Sequence, residues 1–388
     1  MVAMEAKAEF AHPSNGEKAE LESGDNSVAR VRDWRLDVLR GLSLAFLVVN
    51  HTSLQTPLSH VTQGLFGFVS GAEIFVILAG FVLGSVHRRR YEHDGWWEVS
   101  KRLWRRSSKI YAASLGASVF VFGALFIPLF SFQTVAVEGF LGSEGDGYRH
   151  DGKLDFAIRF LTLNTGPWPI SILALYVMLL FAAPVAVRFL AWGRAGTIVL
   201  LSISVGFWAL AQTAVLPGIP VQGQHAFPVW AWQFIFVIGM AAGWYKDVLL
   251  AFFASSRGRV AVVLACVASV LFVGLRVLEP DASIFPFERT TLEFGRVANL
   301  LVVVPVACLV LGRIPTSMQR ILRVLFEGAG RASLYVFLVH VVMLALVATA
   351  VKAWGNADPL LNTLLNLGML VAIWLMIRYR VLFGVIPR

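Results

Sequence analysis

The stretch Arg35–Ser53, RLDVLRGLSLAFLVVNHTS, is almost long enough to cross a bilayer, yet it holds four ionisable groups: Arg35, Asp37, Arg40 and His51. In an α-helix, the eleven steps from Arg40 to His51 return the chain to nearly the same face, about 20° off, and advance it roughly 16 Å. A cation and an imidazole three turns apart would then look into one interior. Charge in an apolar helix is costly, and it is generally retained where it lines a cavity with work to do. Whether this stretch lies in a membrane is decided by the rest of the chain.

The chain has 388 residues, 57% of them hydrophobic and 15% charged, with a mean hydropathy of +0.70. A water-soluble domain of that length needs more polar surface. Long continuous apolar runs, not short alternating strands, argue against a β-barrel. The expectation is an all-α, polytopic transmembrane helical bundle of about ten spans, roughly 36–54, 65–86, 110–130, 170–190, 196–216, 228–245, 259–277, 297–312, 333–353 and 360–378. Residues 1–32 are polar and mixed in charge and read as a disordered cytoplasmic tail, not a signal peptide. Residues 33–388 then form one integral membrane domain. The longest connection, about 131–169, is aromatic and acidic, with Glu138, Glu144, Asp146, Asp151 and Asp155.

Ten spans from a cytoplasmic N-terminus place both termini inside. They assign 26 of the 33 Lys and Arg residues to cytoplasmic segments and seven to outer ones. That asymmetry satisfies the positive-inside rule, and deleting one central span would spoil it. The net charge of +9 therefore calls for no nucleic-acid partner. Cys266 and Cys308 each sit in an apolar run, with neither a disulfide framework nor metal-ligand spacing, so no metal is expected.

Three constellations could carry chemistry. Glu73 falls inside the second expected span; if that span enters near Leu65, the carboxylate lies about 12 Å down, between His51 and Arg40 in depth. A buried carboxylate needs a partner, so Glu73 is either a structural ion pair with Arg40 or Arg35, or a group serving His51 or a substrate cavity. The glycines Gly71, Gly80 and Gly84 would permit close helix approach. Arg88–Arg90 suit a cytoplasmic anchor, whereas Arg102, Arg105, Arg106 and Lys109 share one side of a helix. That second cluster suits either an anchor or a polyphosphate ligand such as a coenzyme A ester or nucleotide. His51 is either a satisfied structural group or a general base for a hydroxyl. His340 has the same two readings.

These segments resemble, in order, the motifs of the membrane-bound acyltransferase family 3 superfamily, and most closely its OpgC-like branch. RLDVLRG with Arg40-x10-His51 resembles the superfamily's arginine and histidine signature, and GAEIFVILAGFVLG its second-span motif with Glu73 at the acidic position. RRSSKIYA, Arg105 to Ala112, resembles an RRxxRIYP pattern. WPISILALYVMLLFAAP from Trp168, FPVWAWQFIFVIGM with Trp232 and Gln233, and GRASLYVFLVHVVM with His340 are similar to later segments. The match covers about residues 33–380. Asn50 stands where the branch often has an acid, Ser171 where it has Asp, and Lys109 and Ala112 where it has Arg and Pro.

The resemblance implies transmembrane O-acyl transfer at the bacterial inner membrane. The donor is a cytoplasmic acyl-CoA, with succinyl-CoA favoured and acetyl-CoA the other candidate. The acceptor is an extracytoplasmic glycan such as an osmoregulated periplasmic glucan. His51, Arg40 and Glu73 would be catalytic, and Arg102, Arg105, Arg106 and Lys109 would hold the donor. Asp37, Trp168, Trp232, Gln233 and His340 would line the substrate site. Membrane lipid, acyl-CoA and the glycan are the expected partners, and self-association is left open. A transporter or flippase for an anionic or glycan/lipid substrate explains intramembrane charge equally well, but not the cationic cluster at a helix entry. A non-enzymatic glycan-binding module using the acidic outer connection is a third reading.

Overall fold

The structure, a computed structural model, describes residues 33–54, 56–127, 129–136, 152–213, 215–219, 226–279, 286–354 and 358–387. The expected tail 1–32, and Glu138, Glu144, Asp146 and Asp151 of the long connection, lie outside them. Every regular element among the described residues is helical. The order is α1 (Trp34–His51), α2 (Pro57–Gly64), α3 (Gly71–Ala124), α4 (Gln133–Ala136), α5 (Gly152–Leu161), a 3₁₀ turn (Trp168–Ile170), α6 (Ile172–Ala191), α7 (Gly193–Gln212) and α8 (Val229–Trp244). It continues with α9 (Lys246–Ala254), α10 (Ser256–Leu278), α11 (Phe294–Arg313), α12 (Thr316–Leu322), a π turn (Arg323–Glu327), α13 (Gly328–Arg331), α14 (Ser333–Trp354) and α15 (Pro359–Arg378).

Seven of the helical stretches among the described residues are long and apolar enough to cross a membrane. The pair α8 and α9, bent by 75°, makes an eighth if it is one span. The chain is a multi-pass membrane protein. α1 stays outside that set because Arg35, Asp37 and Arg40 crowd its first half. The expected spans 65–86 and 110–130 fall on the two halves of α3. A straight helix of its 54 residues would be about 80 Å long, against a hydrocarbon core of about 30 Å. Gly95 breaks it: φ is 76°, a conformation that a residue with a Cβ rarely adopts.

Glu73 lies between His51 and Arg40 along α1, as expected: a Cβ on Gly71 would strike the Ser43 carbonyl, and the Arg40 guanidinium is 5.2 Å from the Phe75 ring centre. Thr56 caps α2, accepting from the Ser59 N–H at 3.1 Å, and Pro57 opens that helix. The chain then turns through Gly67, and the spanning helix starts only at Gly71. Glu73 is in its first turn, accepting from the Ser70 backbone N–H at 2.9 Å. Ser43, which Gly71 meets, is about 12 Å along α1 from His51, its last residue.

The centre of the fold is α3 against α6 and α8, where Leu83, Leu103, Leu175, Leu190, Trp232 and Phe236 are wholly buried. α7, α10 and α15 instead expose rows of Val, Leu and Ile, the surface a lipid-facing helix presents. α3 and α8 cross backbone to backbone. A Cβ on Gly84 would strike the Met240 carbonyl, and one on Gly243 the Phe81 carbonyl. Without a hydrophobic drive between helices in lipid, such contact carries the packing. Gly243→Val is therefore expected to destabilise the protein by about 1–3 kcal/mol, the usual cost of overpacking. A thermal melt in detergent with an unchanged midpoint would show that the crossing tolerates the side chain.

Candidate functional site

α1 and α14 run side by side in the same direction. The Arg40 Nη2 donates to Ser333 Oγ at 2.8 Å, at the start of α14. Three turns on, His51 Nδ1 meets His340 Nε2 at 3.1 Å, two turns along α14. Arg40 and His51 therefore do share a face, and one neighbouring helix receives both.

Around His51 the walls are aromatic. The Trp168 ring stands edge-on to the imidazole at 4.8 Å between centroids, and its Nε1 donates to the Thr134 carbonyl at 3.0 Å. His340 is fully buried, whereas His51 is only half-buried, so the pair opens on the His51 side. Below it, Phe75 stacks edge-on to both Tyr176 and Phe337, with ring centroids 5.4 and 5.2 Å away. The Arg40 guanidinium lies 5.2 Å from the Phe75 ring centre. A column of rings thus joins the imidazoles to the buried cation. The Tyr176 hydroxyl within it is buried and has no hydrogen-bond partner among the described residues. An isolated hydroxyl in an apolar setting costs free energy, which a bound polar group or a water would relieve.

Glu73 has the partner a buried carboxylate requires, but it is neither Arg40 nor Arg35. Arg296, third residue of α11, donates from Nε to Glu73 Oε1 at 2.9 Å, and from Nη1 to the Phe287 carbonyl at 3.0 Å. The carboxylate is 1% exposed and the guanidinium 4%, so both are out of water. One turn along α11, Asn299 accepts from the Phe68 N–H at 2.8 Å. Together these bonds tie the loops before α3 and α11 to each other. In the connection before α11, the Thr290 N–H chiefly holds the Glu288 carboxyl below its usual range. The Thr290 carbonyl accepts from Trp232 Nε1 at 3.1 Å. Arg289, beside it, lies 5.9 Å from the Phe227 ring centre.

Two other sequence candidates serve the scaffold. Gln233 accepts from Ser204 Oγ at 2.6 Å and donates to the Ser204 and Trp230 carbonyls, bracketing α8 to α7. Asp37 pairs with Arg331 at 3.5 Å, next to the Arg323–Glu327–Arg331 ion cluster, at the opposite end of α1 from His51. Asn50 accepts from Thr62 Oγ1 at 2.7 Å, which ties α1 to α2.

The basic cluster divides. α3 folds back at Gly95, and a cleft of about 210 Å³ lies in the crook. Val82, Leu83, Val86, His87 and Arg90 line it from the first half of α3, and Arg102, Leu103 and Arg106 from the second. Arg105 and Lys109 are exposed and not among its lining residues. Arg102 also pairs with Asp94 at 2.6 Å; the His93 hydrogen bond and the Arg102 charge hold that carboxyl below its usual range. Trp96, Trp104 and Ser107 fix the second half against α6, donating to the carbonyls of Pro184, Phe181 and Val177 at 3.0, 3.1 and 2.8 Å. The cleft has room for a phosphate or diphosphate, and three guanidiniums suit such oxygens.

Residues 32–383 match the family described as OpgC protein. No curated protein and no solved structure matches the chain.

Proposed function

The chain belongs to the OpgC protein family, and from that premise we propose that it is a glucan-modifying membrane O-acyltransferase. The acyl group comes from a cytoplasmic acyl-CoA and goes to a hydroxyl of an extracytoplasmic glucan. The observation that carries this reading is the column on α1. Arg40 and His51, three turns apart, reach the same helix, with buried rings between them. A group arriving from each side of the membrane would meet within it.

Ten crossings accommodate the fold: α1, each half of α3, α6, α7, the bent pair α8 and α9, α10, α11, α14 and α15. Even-numbered crossings then begin outside, which agrees with Glu73, Trp232 and Arg296 lying in the first turns of their helices and Tyr176 in the second turn of its own. Odd-numbered ones begin inside, in keeping with the parallel run of α1 and α14. Both termini are then cytoplasmic, and the membrane is the inner membrane of a bacterium.

Arg90, Arg102 and Arg106 hold the donor's phosphates at the cytoplasmic cleft, with Arg105 and Lys109 on the surface beside it. His51 removes the proton from the acceptor hydroxyl as its oxygen attacks the thioester carbonyl. The C–S bond breaks, an ester forms, and the proton held by His51 passes to the departing thiolate. Arg40 and the Tyr176 hydroxyl are the buried donors that flank the path. A succinyl group adds a carboxylate, and Arg289, over the Phe227 ring, is the cation we assign to it.

The cleft supplies the test. Arg102→Ala with Arg106→Ala should raise the acyl-CoA KM about tenfold or more, the loss of one or two charge-assisted bonds, and change kcat far less. Initial rates in proteoliposomes over a donor series measure both. An unchanged KM would leave the cleft without a role in donor binding.

A further inference from the structure

The contacts of the two imidazoles determine which nitrogen of each carries a proton. His340 Nδ1 faces the Phe337 carbonyl at 2.8 Å and the Val336 carbonyl at 3.2 Å. Carbonyl oxygens only accept, so Nδ1 must be the protonated nitrogen of His340. In a neutral ring the other nitrogen, Nε2, is then bare and can only accept. The atom it meets is His51 Nδ1, at 3.1 Å. That contact is a hydrogen bond only if His51 carries its proton on Nδ1. His51 Nε2 is therefore left with its lone pair. The opposite arrangement would aim the bare Nδ1 lone pair of His340 at two carbonyl oxygens.

We infer that His340 is a positioning residue that locks His51 in the Nδ1–H tautomer and so makes Nε2 the basic nitrogen. The inference rests on the reading of His51 as general base and adds the group that orients it. The bases of hydrolytic triads are oriented in the same way, by a partner that accepts from the second ring nitrogen. There the partner is a carboxylate. Here it is a neutral imidazole, which is itself fixed by main-chain carbonyls of α14. A neutral acceptor avoids placing another charge at membrane depth, where charge is expensive.

The proton balance closes. His51 Nε2 takes the hydroxyl proton and the ring becomes an imidazolium. Its Nδ1–H continues to donate to the His340 lone pair, which stabilises the added charge. When Nε2 gives its proton to the departing thiolate, both rings regain their starting forms. His340 gains and loses no proton in the cycle. Trp168, edge-on to the same imidazole, keeps the ring from turning away.

The test uses the full-length protein, labelled with ¹⁵N-histidine, in lipid. The His51 signals are assigned by their absence in His51→Ala. In the native protein without substrate, Nδ1 should be protonated and Nε2 bare; in His340→Leu, the two His51 tautomers should mix. His340→Leu should lower kcat by on the order of a hundredfold with little change in donor KM. His340→Gln, which returns an acceptor oxygen near the Nε2 position, should recover most of that loss. A protonated Nε2 on native His51, or equal kcat in the Leu and Gln variants, would overturn the proposal. The spectrum needs no turnover, so it separates this inference from the proposed reaction. Full acyl transfer by His51→Ala would remove the base role and leave the tautomer lock standing.

Discussion

His51→Ala is expected to lower the rate of acyl transfer by on the order of 10²–10⁴, the range that a positioned general base contributes. The loss should fall on kcat, because in the proposed mechanism the donor phosphates bind in the cleft at Gly95 and not at His51. Three features make the effect large. A sugar hydroxyl is a poor nucleophile until its proton is removed, so the base acts in the transition state rather than in binding. The imidazole is half-buried at the C-terminal end of α1 and backed by His340 on one side. Among the described residues its hydrogen-bond and ring contacts are to His340 and the edge of Trp168. Alanine should therefore leave the protein folded, with a melting temperature within a few degrees of the native one. Release of free CoA thiol in proteoliposomes, measured beside the melt, separates a lost base from a lost fold. A stable His51→Ala protein with native kcat would remove His51 from the chemistry.

Breaking the Glu73–Arg296 pair should have the largest effect on stability. Glu73→Ala leaves a guanidinium buried without its counter-charge, and removal of one member of such a pair typically costs about 3–5 kcal/mol. Two loops depend on the same contacts, since Arg296 also holds the Phe287 carbonyl and Glu73 the Ser70 N–H. Glu73→Leu combined with Arg296→Leu should be much less damaging than either single change, because well-packed apolar pairs often replace buried ion pairs at little cost. Melting temperatures of the two single variants and the double variant form the measurement. A double variant no more stable than Glu73→Ala would mean that the coupling lies elsewhere. Activity of the stable double variant then asks a second question. If Glu73 acts only as a structural tie, transfer returns with stability; if its charge shapes the field at His51, the restored fold stays slow.

The first helix was readable because its argument needs only helix geometry. An eleven-residue interval fixes a face, and the structure places Arg40 and His51 on one neighbour, α14. Partners across the fold were not readable in that way. Glu73 and Arg296 are 223 residues apart, and no local rule links them. The start of α3 was legible but outweighed: Thr56-Pro57 marks a separate short helix, and Ser70-x-x-Glu73 is a capping-box pattern that places the helix start at Gly71. Hydropathy alone ran the span back to Leu65, through residues too apolar to look like a loop.

The basic cluster on α3 shows a similar limit. Arg102 with Arg106, and Arg105 with Lys109, are two i, i+4 stripes of one helix, so spacing separates them without saying which faces a cavity. His87 and Arg90 join the first stripe only because α3 folds back at Gly95, and that break could be suspected from Asp94-Gly95 but not oriented. Gln233 and Asp37 stand in family-like motifs yet bind other parts of the scaffold. His340 was ambiguous for a different reason: its role depends on which atoms its two nitrogens meet, and that is a tertiary fact.

The central claim is that this protein moves an acyl group from a coenzyme A thioester to a glycan hydroxyl across a membrane. The most direct measurement uses purified protein in sealed proteoliposomes, with isotope-labelled succinyl- or acetyl-CoA on one side and a glucan on the other. Mass analysis of the glucan should show the label as an ester, in the native protein and not in His51→Ala. Glucan that remains unacylated with both donors while the folded protein is present, or that crosses the membrane unmodified, would contradict it.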